Sequence, residues 1–292
     1  MTTTPSAVSN VGNTPDALSG IGRSRARGPR RNRIVWWIVL VVGITYFVLP
    51  LIATFQFSMG MLVPFKAYTN TFSDPKFWWG LAYSGVCATL TILASTLLIV
   101  PTAYWVRLKV PRARPIIESI TLLPFVIPPV VLVFGLIRLY GGGPPLGLPI
   151  TSTDLGSTFL LVAAYVVLSL PYMYRSVDTG LRAIDIRSLT EAAQSLGAGW
   201  PTIIVRVILP NVRLAVLGGA FLTFAIVMGE YTIANFLARP AFGPYLSLLG
   251  RNKTFEPAAV TLISFGMTWL AMGAISLIGR RSRGRITVVA VK

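Results

Sequence analysis

The chain has 292 residues, 54% of them hydrophobic and 12% charged, with 26 Lys+Arg against 9 Asp+Glu and no His. A water-soluble globular chain carries about twice that charged fraction, so the apolar excess belongs in a bilayer. The net charge of +17 is scattered between apolar blocks rather than gathered on one soluble face, which argues against nucleic acid as the partner.

Residues 1–33 are rich in Thr, Ser, Gly and Pro and carry Arg23, Arg25, Arg27, Arg30, Arg31 and Arg33. Such a segment buries too little surface to fold, and a disordered basic tail is expected. Six apolar stretches follow, at 34–55, 80–106, 116–140, 158–174, 214–236 and 258–279, each near the roughly 20 residues that cross a bilayer as a helix. No small-residue cleavage pattern follows the first stretch, which reads as a retained span rather than a signal peptide. The predicted fold class is therefore all-α, a polytopic membrane protein with six transmembrane helices. Its parts are the tail at 1–33, the first helix and an external loop at 34–77, the remaining five spans, and a basic tail at 282–292; the bounds of a core domain at 78–281 come from the resemblance given below. The single cysteine, Cys87, lies inside the second span, so neither an intrachain disulfide nor a Cys-rich metal site is expected. Without His the usual general base is missing as well, and no catalytic residue or metal site is predicted.

Twenty of the 26 Lys and Arg fall in the two tails and the connections after the second and fourth spans; six lie on the other side, five in the alternate connections and Arg138 at the outer end of the third span. By the positive-inside rule both termini are cytoplasmic. Trp36, Trp37, Trp78, Trp79 and Trp105 sit at predicted span ends, where an amphipathic ring prefers the headgroup level. The third span holds Pro124, Pro128 and Pro129. Each removes a helix donor and disturbs the carbonyl four residues back, so a kink is expected between Thr121 and Phe125. Lipid tolerates such backbone only against protein or a water-filled path. The three prolines are thus candidates for lining or gating a path, with a packing kink as the alternative.

The connection from 175 to 213 is long and not low in complexity. Ser188-Leu189-Thr190-Glu191 has the form of a capping box that opens a helix. Leu189, Ala192, Ala193 and Leu196 then recur at helical spacing as one apolar stripe, and Gly197 suits the left-handed residue that closes a helix. A two-turn helix is unstable alone in water, so this one must be braced by neighbours or a partner. Further on, Glu230 lies at the outer end of the fifth span beside Tyr231, remote in sequence from Lys or Arg. A carboxylate with an aromatic neighbour at the outer mouth suits a cation; an interfacial carboxylate in water, or one paired with Arg138, is the alternative.

Glu191-Ala192-Ala193, three residues, Gly197, nine residues, then Val207-Ile208-Leu209-Pro210 resembles the E-A-A-x-x-x-G-x(9)-I-x-L-P signature of binding-protein-dependent ABC importer permeases. Val207 stands for the usual Ile. The likeness runs over roughly residues 78–281 and implies a type I ABC importer permease fold, whose signature is a cytoplasmic coupling helix, here about 188–197. The ATPase-coupling residues it implies are Ser188, Glu191, Ala192, Ala193, Leu196 and Gly197. It also implies the partners: a second permease subunit in a heterodimer, two ABC ATPase subunits and an extracytoplasmic solute-binding protein, in a bacterial cytoplasmic (inner) membrane. No Gly is followed by Lys, so the phosphate-cradling loop of an ATPase is missing. This agrees with a transport subunit that is not an enzyme and carries no cofactor, with ATP and Mg on the partners.

The wording Leu122-Leu123-Pro124-Phe125-Val126-Ile127-Pro128-Pro129 and that around Glu230 resemble the second permease of the spermidine/putrescine-type branch. That implies polyamines or a related small cation as substrate, with Glu230, Tyr231, Pro124, Pro128 and Pro129 along the path. Sugar, iron or thiamine permeases of the same superfamily remain alternatives. The rival from another class is an ion-coupled secondary transporter in which Glu230 binds the coupling ion. It lacks a buried His or Asp relay and visible inverted repeats.

Overall fold

The computed structural model describes residues 30–60, 63–144 and 146–281. The predicted tails at 1–33 and 282–292 fall almost wholly outside them. The chain divides into two compact units, 1–50 and 51–292. What is described of the first belongs to helix α1 (Arg30–Ser58), whose apolar residues fall on every face, as expected of a helix surrounded by hydrocarbon.

In the second unit, α2 (Lys66–Ser73), α3 (Pro75–Leu108), α4 (Arg114–Val126), α5 (Pro129–Tyr140) and α6 (Asp154–Arg182) precede α7 (Ile186–Ser195). The chain then passes through α8 (Trp200–Thr202) and a π-helical stretch, Ile203–Ile208, into α9 (Leu209–Gly229). It ends in α10 (Thr232–Phe236), α11 (Phe242–Asn252) and α12 (Glu256–Arg281). Among the described residues four helices are long and apolar enough to cross a membrane, or five if the bent pair α4 and α5 counts as one span. The sixth expected span coincides with α12.

Local sequence accounts for the ends. Asp74 accepts a hydrogen bond from the Lys76 amide at 2.9 Å, with Pro75 in the first turn of α3, and Thr153 caps α6 through the Gly156 amide, so donors with no partner inside the helix are satisfied. Pro210 has no amide hydrogen to give to the preceding turn, and just before it the Leu209 amide bonds Ile204, five residues back. The helix is thus widened by one residue ahead of that proline.

Several boundaries correct the sequence reading. The fourth span does not stop near 174 but runs to Arg182, carrying Arg175 and Asp178 on a helix rather than in a loop. The long connection shrinks accordingly, because Trp200 onward already belongs to the next helix. The fifth span ends at Gly229, not 236, with Glu230 extended behind it. In the third span the break falls at Ile127 and Pro128, beyond the expected stretch, and bends the pair by 96°. Pro124 stays inside α4, where it costs one hydrogen bond. Two consecutive prolines do more, since each forces the residue before it out of the α region: Ile127 has ψ 115° and Pro128 ψ 140°.

The core is the mutual packing of α3, α6 and α9. Small and hydroxylated side chains let these backbones approach closely, as expected between helices in lipid. The Ser95 and Ser169 hydroxyls meet at 2.7 Å. Ser176 donates to the Ala215 carbonyl, and a Cβ on Gly180 would run into Ala215. One buried cluster gathers Tyr104, Met173, Val177, Leu181, Ile203 and Ile208 at the α7 end. A second gathers Val133, Leu161, Tyr165, Val227 and Ile233 at the other end.

Candidate functional site

At one end of the bundle α7 stands on the body of the protein. Its first turn is capped by Asp185, whose two carboxylate oxygens accept from the Ser188 amide at 3.1 Å and the Ser188 hydroxyl at 2.7 Å. The capping box expected at Ser188 and Glu191 is therefore displaced by three residues. Asp185 is the cap, Ser188 answers it, and Glu191 instead accepts from Arg187 at 2.9 Å. These two bonds from Ser188 hold the Asp185 carboxyl below the usual aspartate range, because both favour the ionised form.

Starting the helix earlier turns its phase. The buried face is Ile186, Thr190 and Ala193 rather than the expected stripe of Leu189, Ala192, Ala193 and Leu196. Ile186 and Ala193 join the cluster around Tyr104, and the Thr190 hydroxyl meets that of Tyr104 at 2.9 Å in a buried bond. Leu196 lies on the outside, 88% exposed, with Ser188, Glu191, Ala192 and Gly197 also exposed. The far end closes as the sequence predicts. Gly197 has φ +78°, its amide donates to the Gln194 carbonyl at 2.8 Å, and the Ala198 amide donates to Ala193 at 3.0 Å, which is the Schellman arrangement. Of the six expected coupling residues, five lie on the outer side of α7 and one, Ala193, anchors it. A groove of about 670 Å³ runs alongside, between the end of α3 and Glu191, Gln194 and Trp200.

At the other end of the bundle the chain breaks again. Glu230 leaves α9 in an extended conformation, and its half-buried carboxylate accepts from the Ile233 amide at 2.8 Å, the Ala234 amide at 3.2 Å and the Tyr165 hydroxyl at 3.1 Å. It caps α10 and ties it to α6, with Tyr165 rather than Arg138 as its side-chain partner. Gly243 sits directly behind, where a Cβ would meet the backbone of Glu230 and Tyr231. Pro124 lies within α4, and Pro128 and Pro129 form the 96° break. Pro128 and Pro129 stand at the break between α4 and α5, and Glu230 and Tyr231 at the break between α9 and α10; α5 packs against α10 through Phe134 and Phe236. Sequence reasoning missed Asp185, although Asp-x-x-Ser is itself a cap pattern, and Tyr104 and Thr190, which act through contacts 86 residues apart. It also missed Asp178, though Asp178 and Arg182 stand four apart on one helix.

Among curated proteins, the "Probable molybdenum ABC transporter permease protein" of Haloferax volcanii is 36% identical over 204 residues, 67% of this chain and 72% of that one. A sulfate transport system permease protein of Synechococcus elongatus is 30% identical over 65% of this chain and 66% of its own. The spermidine/putrescine transport system permease protein of Escherichia coli is 28% identical over 45% and 46%. Among solved structures, a chain of a bacterial alginate ABC transporter, in complex with an alginate pentasaccharide-bound periplasmic protein, aligns over 89% of this chain and 98% of its own at TM-score 0.65. At 16% identity that likeness speaks for the fold alone. The family model for the inner membrane component of binding-protein-dependent transport systems matches residues 96–284, and this multi-pass membrane protein belongs to that family.

Proposed function

We propose that this permease takes its substrate from an extracytoplasmic binding protein and is driven through α7 by separate ATPase subunits, which carry the ATP and Mg. The observation behind this reading is the two-sidedness of α7. Its inner face is fixed by Ile186, Thr190 and Ala193, while Leu196 is 88% exposed with Ala192 and Glu191 beside it. Ala192 and Leu196, four residues apart and both exposed on a helix anchored through its other face, present neighbouring small and apolar side chains to a partner. The basic residues of the α3 to α4 and α6 to α9 connections favour a cytoplasmic position for this end. Assembly as two permeases, two ATPases and one binding protein follows from the same reading. In the assembled transporter, Leu196→Asp should abolish stimulation of ATP hydrolysis by loaded binding protein, and Gly197→Pro should do the same with the protein still in the membrane. Full stimulation in both would refute it.

For the substrate we propose a small tetrahedral oxyanion of the molybdate or sulfate class. The molybdenum and sulfate permeases match this chain over about two thirds of its length, and the Glu230 carboxylate has a structural task as the cap of α10 and the acceptor from Tyr165, so its presence does not by itself call for a cationic substrate. The polyamine reading keeps one support, the 28% identity to the spermidine/putrescine permease. Uptake of labelled molybdate, sulfate and putrescine by cells with and without the gene separates the two. Loss of putrescine uptake alone would overturn the oxyanion assignment.

A further inference from the structure

Where α6 approaches α7, one carboxylate joins three helices. Asp178 of α6 is 6% exposed. Its Oδ1 accepts from Arg107, at the end of α3, through Nη2 at 2.7 Å and Nε at 2.8 Å. Its Oδ2 accepts from Arg182, one turn further along α6, through Nη2 at 2.7 Å and Nε at 2.9 Å, and lies 3.5 Å from Nη2 of Arg114, the first residue of α4. Glu118 of α4 completes the cluster, 2.8 Å from Arg114 and 3.9 Å from Arg182. Three guanidinium groups thus surround two carboxylates, and only Asp178 touches all three.

A buried ion pair is a poor device for stability alone, because desolvation offsets much of the attraction; its better use is to fix one arrangement among several. Three features say which arrangement is fixed here. Asp178 lies seven residues before Asp185, the cap of α7, on an uninterrupted helix that ends at Arg182. Arg114 and Glu118 belong to α4, the near half of the span broken by 96° at Pro128. Between α4 and α6 a cavity of about 290 Å³ opens beside Thr121, Tyr174 and Asp178, space into which α4 can move. Arg107 and Arg182 each hold one oxygen of Asp178 through two nitrogens, which fixes the carboxylate on α3 and α6, and the single contact with Arg114 at 3.5 Å, beside that of Glu118 with Arg182 at 3.9 Å, links a displacement of α6 to α4.

We infer that Asp178 is a positioning residue for transport: its carboxylate holds the start of α4 on α3 and α6, and passes movement of α7 to the broken α4–α5 span. This rests on the coupling role proposed for α7. Replacing Asp178 by Asn removes the buried charge that Arg107, Arg114 and Arg182 share and leaves α4 joined to α6 in this cluster by the 3.9 Å contact of Glu118 with Arg182 alone.

The test uses the complete transporter in proteoliposomes, reading uptake together with the ratio of binding-protein-stimulated to basal ATP hydrolysis. Asp178→Asn should keep the ATPase subunits bound and hydrolysis running, bring that ratio close to one and lower uptake at least tenfold, with Asp178→Glu restoring part of both. A purely structural residue would lower the amount of transporter without moving the ratio. Should Asp178→Asn fail to assemble, Arg114→Gln removes the contact of α4 with Asp178 and leaves the Arg107 and Arg182 pairs, and a fall in the ratio is again expected. A ratio and uptake like the unmodified transporter in Asp178→Asn, or in Arg114→Gln where only that variant assembles, overturns the inference. Leu196→Asp separates the two levels. If it uncouples hydrolysis and Asp178→Asn does not, this inference alone fails; if Leu196→Asp leaves stimulation intact, the role of α7 fails and the transmission assigned to Asp178 falls with it.

Discussion

Gly197 offers the sharpest quantitative test of the α7 end. At φ +78° it occupies the left-handed region, and a Cβ built there meets nothing within 4 Å, so Gly197→Ala makes no clash with other parts of the protein. What remains is the conformational penalty of an L residue in that region, about 1–2 kcal/mol, less the roughly 0.4–1 kcal/mol by which Ala restricts the unfolded chain. Leaving the region instead would forfeit the bonds from Gly197 to Gln194 and from Ala198 to Ala193, together about 1–3 kcal/mol. The two costs are comparable, so the closing turn of α7 should open in an appreciable fraction of molecules. Asn, which tolerates this region, should be milder than Ala, and β-branched Val harsher. Hydrogen exchange of the peptide covering 186–199 reads the opening directly, with protection falling in the order Gly, Asn, Ala, Val. Equal protection in Asn and Val variants would refute the argument, since with no neighbour within 4 Å of the Cβ only the left-handed backbone conformation distinguishes the two.

Three further outcomes follow from the same reasoning. Gly219→Ala places a Cβ 2.7 Å from the Met173 sulfur and 3.3 Å from its Cα; overpacking of about 1–3 kcal/mol should lower the thermal midpoint, and trimming Met173 as well should cost less than the two changes summed. Because Ser188 lowers the Asp185 carboxyl, that cap stabilises α7 above the ordinary aspartate value and is lost as pH falls through the lowered one. Exchange at the start of α7, corrected for intrinsic rates, should rise in acid and lose that dependence in Asp185→Asn. Glu230→Ala orphans the Ile233 and Ala234 amides and the Tyr165 hydroxyl. It should destabilise α10 by about 1–3 kcal/mol; unchanged α10 protection with a raised KM for uptake would assign the carboxylate to substrate instead.

The sequence alone determined the class of molecule. Apolar stretches of bilayer length, the bias of basic residues and the spacing from Glu191 to Pro210 are all local or one-dimensional signals, and the family match at 96–284 agrees with them. Gly197 was legible for the same reason, since a left-handed helix end is a property of a few consecutive residues. The phase of α7 was not. Two patterns, Asp185 with Ser188 and Ser188 with Glu191, compete to start one helix, and the choice depends on Ile186 and Thr190 finding Tyr104 on α3. Nor could the sequence decide whether Arg175 to Arg213 was one long connection, because hydropathy falls when α6 becomes polar although its hydrogen bonding continues to Arg182. The setting of Glu230 and the three-helix contact at Asp178 lie furthest from the sequence. A carboxylate read along the chain is only a charge; whether it is a ligand, a cap or a tie between helices depends on donors from other segments, which folding alone brings within 3 Å or so of it.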